Sequence, residues 1–158
     1  MMIDESRIHR CETRVLYGDT DSGGGVYNAN YLRFFEIGRG NLMRDWLVSY
    51  HAIEKMGFYI PLTESWLRYK APARYDDLIV IETSIAEATH RICTFAYKIV
   101  RAEDGLDSPR LLCKGYTVHV AVGMDGKLAD LPAELINQVV ALVNPRPPVR
   151  RFGAKEQV

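Results

Sequence analysis

The stretch that decides the fold is YGDTDSGGGVYNANYLRFFE, residues 17–36. It begins as a turn-rich loop in which Asp19 and Asp21 precede three consecutive glycines, residues 23–25. From about Asn28 the apolar residues change to helical spacing, which predicts a long helix. The stretch therefore places two carboxylates immediately before the N-terminus of a helix.

The predicted helix carries one apolar stripe. Its members recur at the spacing of successive helical turns and are Tyr31, Phe35, Gly38, Leu42 and Trp46. A glycine inside a helix costs about 1 kcal/mol relative to alanine. Because Gly38 lies on the stripe, we expect its missing side chain to let another element approach the helix closely.

Outside this helix the chain is mostly β-like. A strand is predicted before the loop, in residues 10–17, and a second, amphipathic helix over residues 132–143. Between the helices, segments rich in β-branched and aromatic residues predict four strands, within 60–75, 77–88, 90–103 and 110–123. Their short connections leave no room for crossover helices, so the consecutive late strands should pair antiparallel. The chain is therefore predicted to be an α+β domain with a long helix lying across an antiparallel sheet.

Length and composition fit one globular domain. We expect residues 1–143 to form it and the Pro- and Arg-rich residues 144–158 to be a flexible tail. Twenty basic and twenty acidic residues give zero net charge, which argues against general binding to nucleic acid or anionic membranes. No apolar run predicts a secretory signal or membrane span. The three cysteines cannot all pair and show no metal-binding pattern, so we expect a reduced, cytoplasmic, metal-free protein.

The loop before the helix can support two interpretations. The helix N-terminus offers unsatisfied N–H groups that could hold a carbonyl oxygen while negative charge develops on it. A neighbouring carboxylate could then act as a nucleophile or as a general base on water. Alternatively, Asp19 and Asp21 only satisfy backbone N–H groups in a helix cap and turn. The residue types alone leave both interpretations open.

This segment resembles the acyl-CoA thioesterases of the hotdog fold, in particular the 4-hydroxybenzoyl-CoA thioesterase family and its YbgC-like branch. The family pattern has two aspartates, a glycine, a Val-Tyr pair, a further aromatic residue and then aromatic residues with Glu. The residues that stand in register with it are Asp19, Asp21, Gly24, Val26, Tyr27, Tyr31, Phe35 and Glu36. A second similarity covers YKAPARYDDLIVIET, residues 69–83. The order of elements agrees with the family from about residue 9 to residue 143.

The resemblance implies a hotdog fold, a five-stranded antiparallel sheet wrapped around one long helix. It implies hydrolysis of an acyl-CoA or acyl-carrier-protein thioester without metal or other cofactor, CoA being part of the substrate. Asp21 would be the catalytic carboxylate, and the backbone N–H of Asn28 would hold the thioester carbonyl. Tyr27 and Tyr31 would line the acyl pocket or hold the helix start, and the loop glycines, including Gly24 and Gly25, would let the substrate approach. Family sites lie between subunits, so a homo-oligomer is expected, a dimer that pairs further into a tetramer.

The chain also departs from the family pattern. Many relatives carry histidine at the position of Gly25, and YbgC-like members often carry it at the position of Asn28. A histidine-assisted mechanism is therefore excluded at both places, and the relatives' acyl specificity does not carry over. Glu36 is the reserve catalytic candidate, because another hotdog branch uses a helix carboxylate; a structural salt bridge is the alternative.

Three cations are candidates for the phosphates of CoA. Arg68, Lys70 and Arg74 alternate in sequence before Asp76 and so should project from one face of a strand. Arg and Lys side chains commonly hold phosphate, although a solvated strand face explains the same pattern.

Two other functions remain alternatives to hydrolysis. One is a non-catalytic hotdog module that binds acyl-CoA, which would not need the carboxylate of Asp21. The other is a hydratase or dehydratase, which typically needs a histidine in the site, and residues 17–36 contain none. The acyl group and the choice between CoA and carrier protein are not predicted.

Overall fold

The computed structural model describes residues 2–102 and 109–145. Its helices are α1 (Asn30–Trp46), α2 (Tyr50–Lys55) and α3 (Ala133–Ala141). Its strands are β1 (His9–Arg14), β2 (Phe58–Tyr59), β3 (Leu62–Tyr69), β4 (Leu78–Ala88), β5 (Ile92–Arg101), β6 (Arg110–Val120) and β7 (Val122–Gly123).

Five strands form one antiparallel sheet in the order β1-β4-β5-β6-β3. The consecutive strands β4, β5 and β6 are neighbours, as their short connections predict. β1 and β3 are brought from the N-terminal half of the chain to the two edges. The short strands β2 and β7 pair separately. The α+β class and the five-stranded antiparallel sheet are confirmed.

α1 packs across the sheet, chiefly against β4 and β1. Gly38 faces β4 so closely that a Cβ there would overlap the side chains of Ile81 and Thr83. One turn earlier, the ring of Phe35 stacks on that of Tyr97 in β5, with centroids 4.2 Å apart. The close approach predicted for Gly38 is therefore confirmed, and the missing side chain is what permits it.

Three local predictions need correction. α1 begins at Asn30 rather than Asn28, because residues 28 and 29 form a turn. Trp46 lies at the margin of the buried stripe and is 36% exposed, with its ring edge-on to His9 at 5.1 Å. The segment after α1, for which no element is predicted above, contains α2, whose N-cap Ser49 accepts a hydrogen bond from the Ala52 N–H at 3.1 Å.

The C-terminal boundary also differs from the prediction. Asn144, expected to begin the tail, is buried, and its amide donates to the Asp4 carbonyl at 2.8 Å while accepting from the Asp4 N–H at 3.2 Å. Asn144 therefore belongs with the folded domain. The rest of the expected tail from residue 146, and the predicted strand end at residue 103, lie outside the described residues. None of the described helices combines the length and hydropathy needed to cross a membrane.

The three cysteines are free thiols. Burial raises the pKa of Cys93 and of Cys113 to about 12. Cys11 is half-buried, and burial raises its pKa as well. Because a thiol with a raised pKa is a poor nucleophile, these surroundings favour a structural role for the cysteines.

Candidate active site

Residues 19–26, which include the three consecutive glycines, form a tight turn that we call the glycine loop. An isolated bridge between Thr20 and Val26 closes it. Inside it, the Asp21 N–H donates to the Gly25 carbonyl at 2.9 Å, and the Gly24 N–H donates to the Asp21 carbonyl at 3.0 Å. Gly24 has φ of +81°, a backbone conformation that favours glycine. The loop is thus a defined structure that holds Asp21 in place.

The side chain of Asp21 is exposed, and one of its oxygens accepts a hydrogen bond from the Gly23 N–H at 2.8 Å. Within residues 2–102 and 109–145, no cation forms an ion pair with it. The carboxylate is therefore oriented from one side and accessible from the other. This is the arrangement that a general base or a nucleophile requires.

Asp19 lies in a different environment, although it is only two residues away. It is buried; one oxygen accepts from the Leu16 N–H at 2.8 Å, and the other is hydrogen-bonded to the guanidinium of Arg33 in α1. Its carbonyl accepts from the Tyr27 N–H and from the Asn30 amide, both at 2.9 Å. Asp19 therefore braces the loop against the start of α1.

The turn before α1 leaves backbone donors without an acceptor among the described residues. The N–H groups of Asn30, Tyr31 and Leu32 donate to carbonyls three residues earlier, at 2.9 to 3.4 Å. The Asn28 N–H, in the turn before the helix, donates to no acceptor in the described part of the chain. The helix predicted from about Asn28 begins at Asn30, and the Asn28 N–H, singled out from the family resemblance, has no acceptor among the described residues.

Two tyrosines fix the position of this turn. The Tyr69 hydroxyl donates to the Asn28 carbonyl at 3.1 Å. Tyr31 is buried, and its hydroxyl accepts a hydrogen bond from the Ala73 N–H at 3.0 Å. Burial raises the pKa of the Tyr31 phenol. Of the two roles expected for Tyr31, these contacts match holding the helix start, whereas Tyr27 is half exposed beside the loop.

The Ala-Pro-Ala segment, residues 71–73, packs against the glycine loop. The Val26 N–H donates to the Ala73 carbonyl at 2.9 Å. A Cβ added to Gly25 would lie 3.2 Å from the Cβ of Pro72, tighter than ordinary contact. The two segments that resemble the thioesterase family in sequence are therefore in direct contact.

The three predicted phosphate-binding cations do not share one strand face. Arg68 lies in β3, Lys70 follows its end, and Arg74 lies in the irregular segment before β4, where the chain no longer alternates. All three are exposed, and the Arg74 guanidinium donates to the Gly24 carbonyl at 3.2 Å. The alternation predicted through Arg74 is wrong, although Arg74 does lie at the loop.

Glu36 is exposed on α1 and lines a cavity of about 740 Å³ beside the helix. The salt bridge considered for it, to Arg39 or to a strand, is absent from the described residues. Sequence reasoning missed Arg33, the partner of Asp19. The available signal was a basic residue one turn into a helix that follows an acidic loop.

Comparisons with known proteins agree with this geometry. A family model described as the thioesterase-like superfamily matches residues 15–139, which include the glycine loop, α1 and every strand of the five-stranded sheet except β1. The chain belongs to this superfamily. Among curated members, the acyl-CoA thioester hydrolase YbgC of Escherichia coli is 37% identical over 101 residues, covering 63% of this chain and 74% of that protein.

Solved thioesterase structures share the fold. The 1,4-dihydroxy-2-naphthoyl-CoA thioesterase Slr0204 from Synechocystis superposes with a TM-score of 0.75 at 25% identity, covering 84% of this chain and 96% of that one. A 4-hydroxybenzoyl CoA thioesterase mutant, solved with 4-hydroxybenzoyl CoA, gives a TM-score of 0.75 at 22% identity over 84% of this chain and 99% of that one. The hotdog fold implied by the sequence resemblance is therefore confirmed.

Proposed function

We propose that this member of the thioesterase-like superfamily hydrolyses an acyl-CoA thioester to a free acid and the CoA thiol, with Asp21 as the catalytic carboxylate. The observation that carries the proposal is the contrast between the two loop aspartates. Asp19 is buried and hydrogen-bonded through both oxygens, whereas Asp21 is exposed, oriented by the Gly23 N–H and without an ion pair among the described residues. Structural capping alone does not require a second, accessible carboxylate in the same turn.

Asp21 acts in one of two ways. As a general base it takes a proton from a water molecule whose oxygen attacks the thioester carbonyl carbon. As a nucleophile its own oxygen attacks that carbon, and water then hydrolyses the mixed anhydride. In both routes the carbon–sulfur bond breaks, the thiolate leaves and takes up a proton, and the acyl group ends as a carboxylate.

The carbonyl oxygen is held by the Asn28 backbone N–H. This N–H has no acceptor within the described part of the chain, and it lies in the turn just before α1, where the helix dipole contributes about half a positive charge. A donor fixed in advance stabilises the negative charge that develops on the oxygen in the transition state. With this electrophilic assistance the chemistry requires no metal and no organic cofactor.

The CoA moiety is placed against the exposed cations after β3. Arg68 and Lys70 are free of ion pairs among the described residues and can reach its phosphates. The Arg74 guanidinium also donates a hydrogen bond to the Gly24 carbonyl. An acyl-carrier-protein thioester is the alternative donor, and its phosphopantetheine would use the same approach.

We place the functional site at a contact between subunits. Exposed aromatic side chains surround the loop, with Tyr17, Tyr27, Tyr69 and Tyr75 each at least half exposed. β3 is an edge strand and can pair with another copy. A homo-oligomer, a dimer paired into a tetramer, would cover these surfaces. Light scattering tests this, and a stable monomer at micromolar concentration would contradict it.

A panel of aliphatic and aromatic acyl-CoA thioesters, followed by release of free thiol, tests the function. Turnover that is lost in Asp21→Asn supports hydrolysis. Tight binding of the thioesters without thiol release would instead make the protein a non-catalytic acyl-CoA-binding module. Parallel assays with acyl-carrier-protein thioesters distinguish the two kinds of donor.

A further inference from the structure

A cavity of about 740 Å³ lies beside α1, bounded by α2, α3, the beginning of β5 and the end of β6. Loop residues 17–31 do not line it. Most of its wall is apolar, including Met43, Leu47, Ile53, Phe95, Leu135 and Val139. A cavity of this size and lining is typical of a site for a small, largely hydrocarbon ligand.

One side of the cavity is polar. The Arg39 guanidinium donates to the Tyr97 hydroxyl at 3.1 Å, and that hydroxyl is hydrogen-bonded to the Thr117 hydroxyl at 2.7 Å. The Thr117 hydroxyl is also hydrogen-bonded to His119 Nε2 at 2.9 Å. The other ring nitrogen of His119, Nδ1, lies 3.3 Å from the Ile60 carbonyl. Arg39, His119 and Ile60 are the members of this network that line the cavity.

Arg39 differs from two other arginines on the cavity wall. Arg33 is paired with Asp19, and Arg91 is paired with Asp130. Across residues 2–102 and 109–145, no carboxylate oxygen lies within 4.0 Å of the Arg39 guanidinium. A guanidinium has five N–H donors, and the described contacts of Arg39 use one nitrogen. Donors therefore remain for a ligand.

The charge on Arg39 acts inside the cavity. The pKa of His119 is lowered to about 4, first by burial and then by the positive charge of Arg39. The imidazole is consequently neutral near pH 7, and the guanidinium supplies the positive charge of this network. Because Arg39 is only partly exposed, an anion next to it is attracted more strongly than in water.

We propose that the cavity binds a hydrocarbon ligand that ends in a carboxylate, with the carboxylate on Arg39. A carboxylate matches the fork of the guanidinium and can accept two parallel hydrogen bonds. The hydrocarbon covers the apolar wall. A purely apolar ligand is a poorer fit, because it would displace water from Arg39 without replacing the hydrogen bonds.

This inference goes beyond the proposed function, since binding of a free acid requires no hydrolysis. Two sources can supply the same chemistry. The carboxylate can belong to a free fatty acid, or to the far end of an acyl group whose other end is a thioester. Arg33 makes the second source possible, because it lines the cavity and also holds Asp19 in the glycine loop.

Calorimetric titration with decanoate and with decanol tests the proposal on the intact protein. Decanoate should bind more tightly than decanol, because its carboxylate offers Arg39 a negative charge and two acceptor oxygens, whereas the alcohol offers one neutral acceptor. In Arg39→Met, decanoate should bind at least about tenfold more weakly, while decanol changes little. Arg44→Met is the matched control, since Arg44 is an exposed cation on the same wall, and both affinities should persist there.

Further variants guard against a folding defect. In Arg39→Met the Tyr97 hydroxyl keeps its bond to Thr117, and thermal unfolding checks that the variant is folded. Arg39→Lys retains the charge and should preserve part of the preference for decanoate. Val139→Trp fills the cavity and should remove binding of both ligands. The proposal is overturned by equal affinities for decanoate and decanol, by equal losses in Arg39→Met and Arg44→Met, or by undiminished binding in Val139→Trp.

Hydrolysis assays separate the two sources. A higher KM in Arg39→Met for the CoA monothioester of a dicarboxylic acid, but not for decanoyl-CoA, places the far end of the acyl group on Arg39. Decanoate binding that leaves hydrolysis unchanged indicates a free fatty acid. Decanoate binding by a protein without thioesterase activity supports this inference and contradicts only the proposed function.

Discussion

The guanidinium of Arg33 and the carboxylate of Asp19 are hydrogen-bonded across the junction between the glycine loop and α1. This contact joins two parts of the site that are 14 residues apart in the chain. The backbone carbonyl of Asp19 also accepts a hydrogen bond from the Tyr27 N–H. The position of Asp21 thus depends on a buried neighbour whose own carboxylate is inaccessible.

Replacing Asp19 by asparagine should lower the free energy of unfolding by about 1 to 3 kcal/mol, because a charge-assisted hydrogen bond is lost in a buried place. Thiol release should fall less than in Asp21→Asn. Urea denaturation measures the stability. A double-mutant cycle with Arg33→Met should show that the two losses are not additive. Additive losses would mean that the pair does not act as a unit.

Asp21→Asn should lower kcat for thioester hydrolysis at least about a hundredfold, because a general base typically contributes that much and a nucleophile can contribute more. KM and the unfolding transition should change little, since the amide oxygen can still accept from the Gly23 N–H.

Asp125→Asn is the matched control for that experiment. Asp125 is an exposed aspartate whose carboxylate accepts a backbone N–H two residues later, from Lys127 at 3.0 Å, as Asp21 does from Gly23. Its substitution should leave turnover unchanged. If Glu36→Gln abolishes turnover while Asp21→Asn stays within a few-fold of wild type, the catalytic role belongs to the helix carboxylate.

The two glycines of α1 should respond in opposite directions to alanine. Gly38→Ala forces a methyl group into Ile81 and Thr83 and should cost about 1 to 3 kcal/mol of stability. Gly40→Ala meets only the flexible guanidinium of Arg44, 3.3 Å away, and should stabilise the helix by up to about 1 kcal/mol. Urea unfolding of both variants checks this. Destabilisation of similar size in both would contradict the proposed packing.

Stability should decrease in mildly acidic solution because of His119. Its pKa is lowered to about 4 in the folded protein, first by burial and then by Arg39. An unfolded histidine has a pKa of about 6.5, so between these values the unfolded chain binds a proton that the folded chain does not. The free energy of unfolding should therefore fall as the pH drops through this window, by up to about 3 kcal/mol.

Urea titrations across that pH range measure the effect. His119→Gln should flatten the dependence, whereas the matching change at His51, whose side chain is 73% exposed, should leave it unaltered. An equal pH dependence in wild type and His119→Gln would show that other groups cause it.

Features that depend on contacts between near neighbours in the chain are predictable from the sequence. The glycine loop depends on contacts between near neighbours such as Asp21 and Gly25. The close approach at Gly38 is predicted by the position of this glycine on an apolar stripe. The pattern of one short segment therefore predicts both the loop and the close approach. α2 was missed because six residues are too few to show a helical period.

Long-range contacts set the limit of that analysis. The pairing of Arg39 with Tyr97 spans 58 residues, and nothing in the local pattern of either segment indicates it. The cavity likewise arises from the packing of α2 and α3 beside α1, so its lining could not be read from residue spacing. The cations after β3 were placed on one face because the strand was assumed to continue to Arg74, whereas it ends at Tyr69.

The reciprocal hydrogen bonds between Asp4 and Asn144 give the domain the connectivity of an almost closed ring. A short Gly/Ser linker from residue 145 to residue 2 would span this junction, so the chain is suited to circular permutation. New termini fit best at the exposed turn around Gly126, between β7 and α3 and outside the loop that holds Asp21. In such a permutant the contact between Asp4 and Asn144 would lie inside a continuous chain. The new N- and C-termini would both lie between β7 and α3.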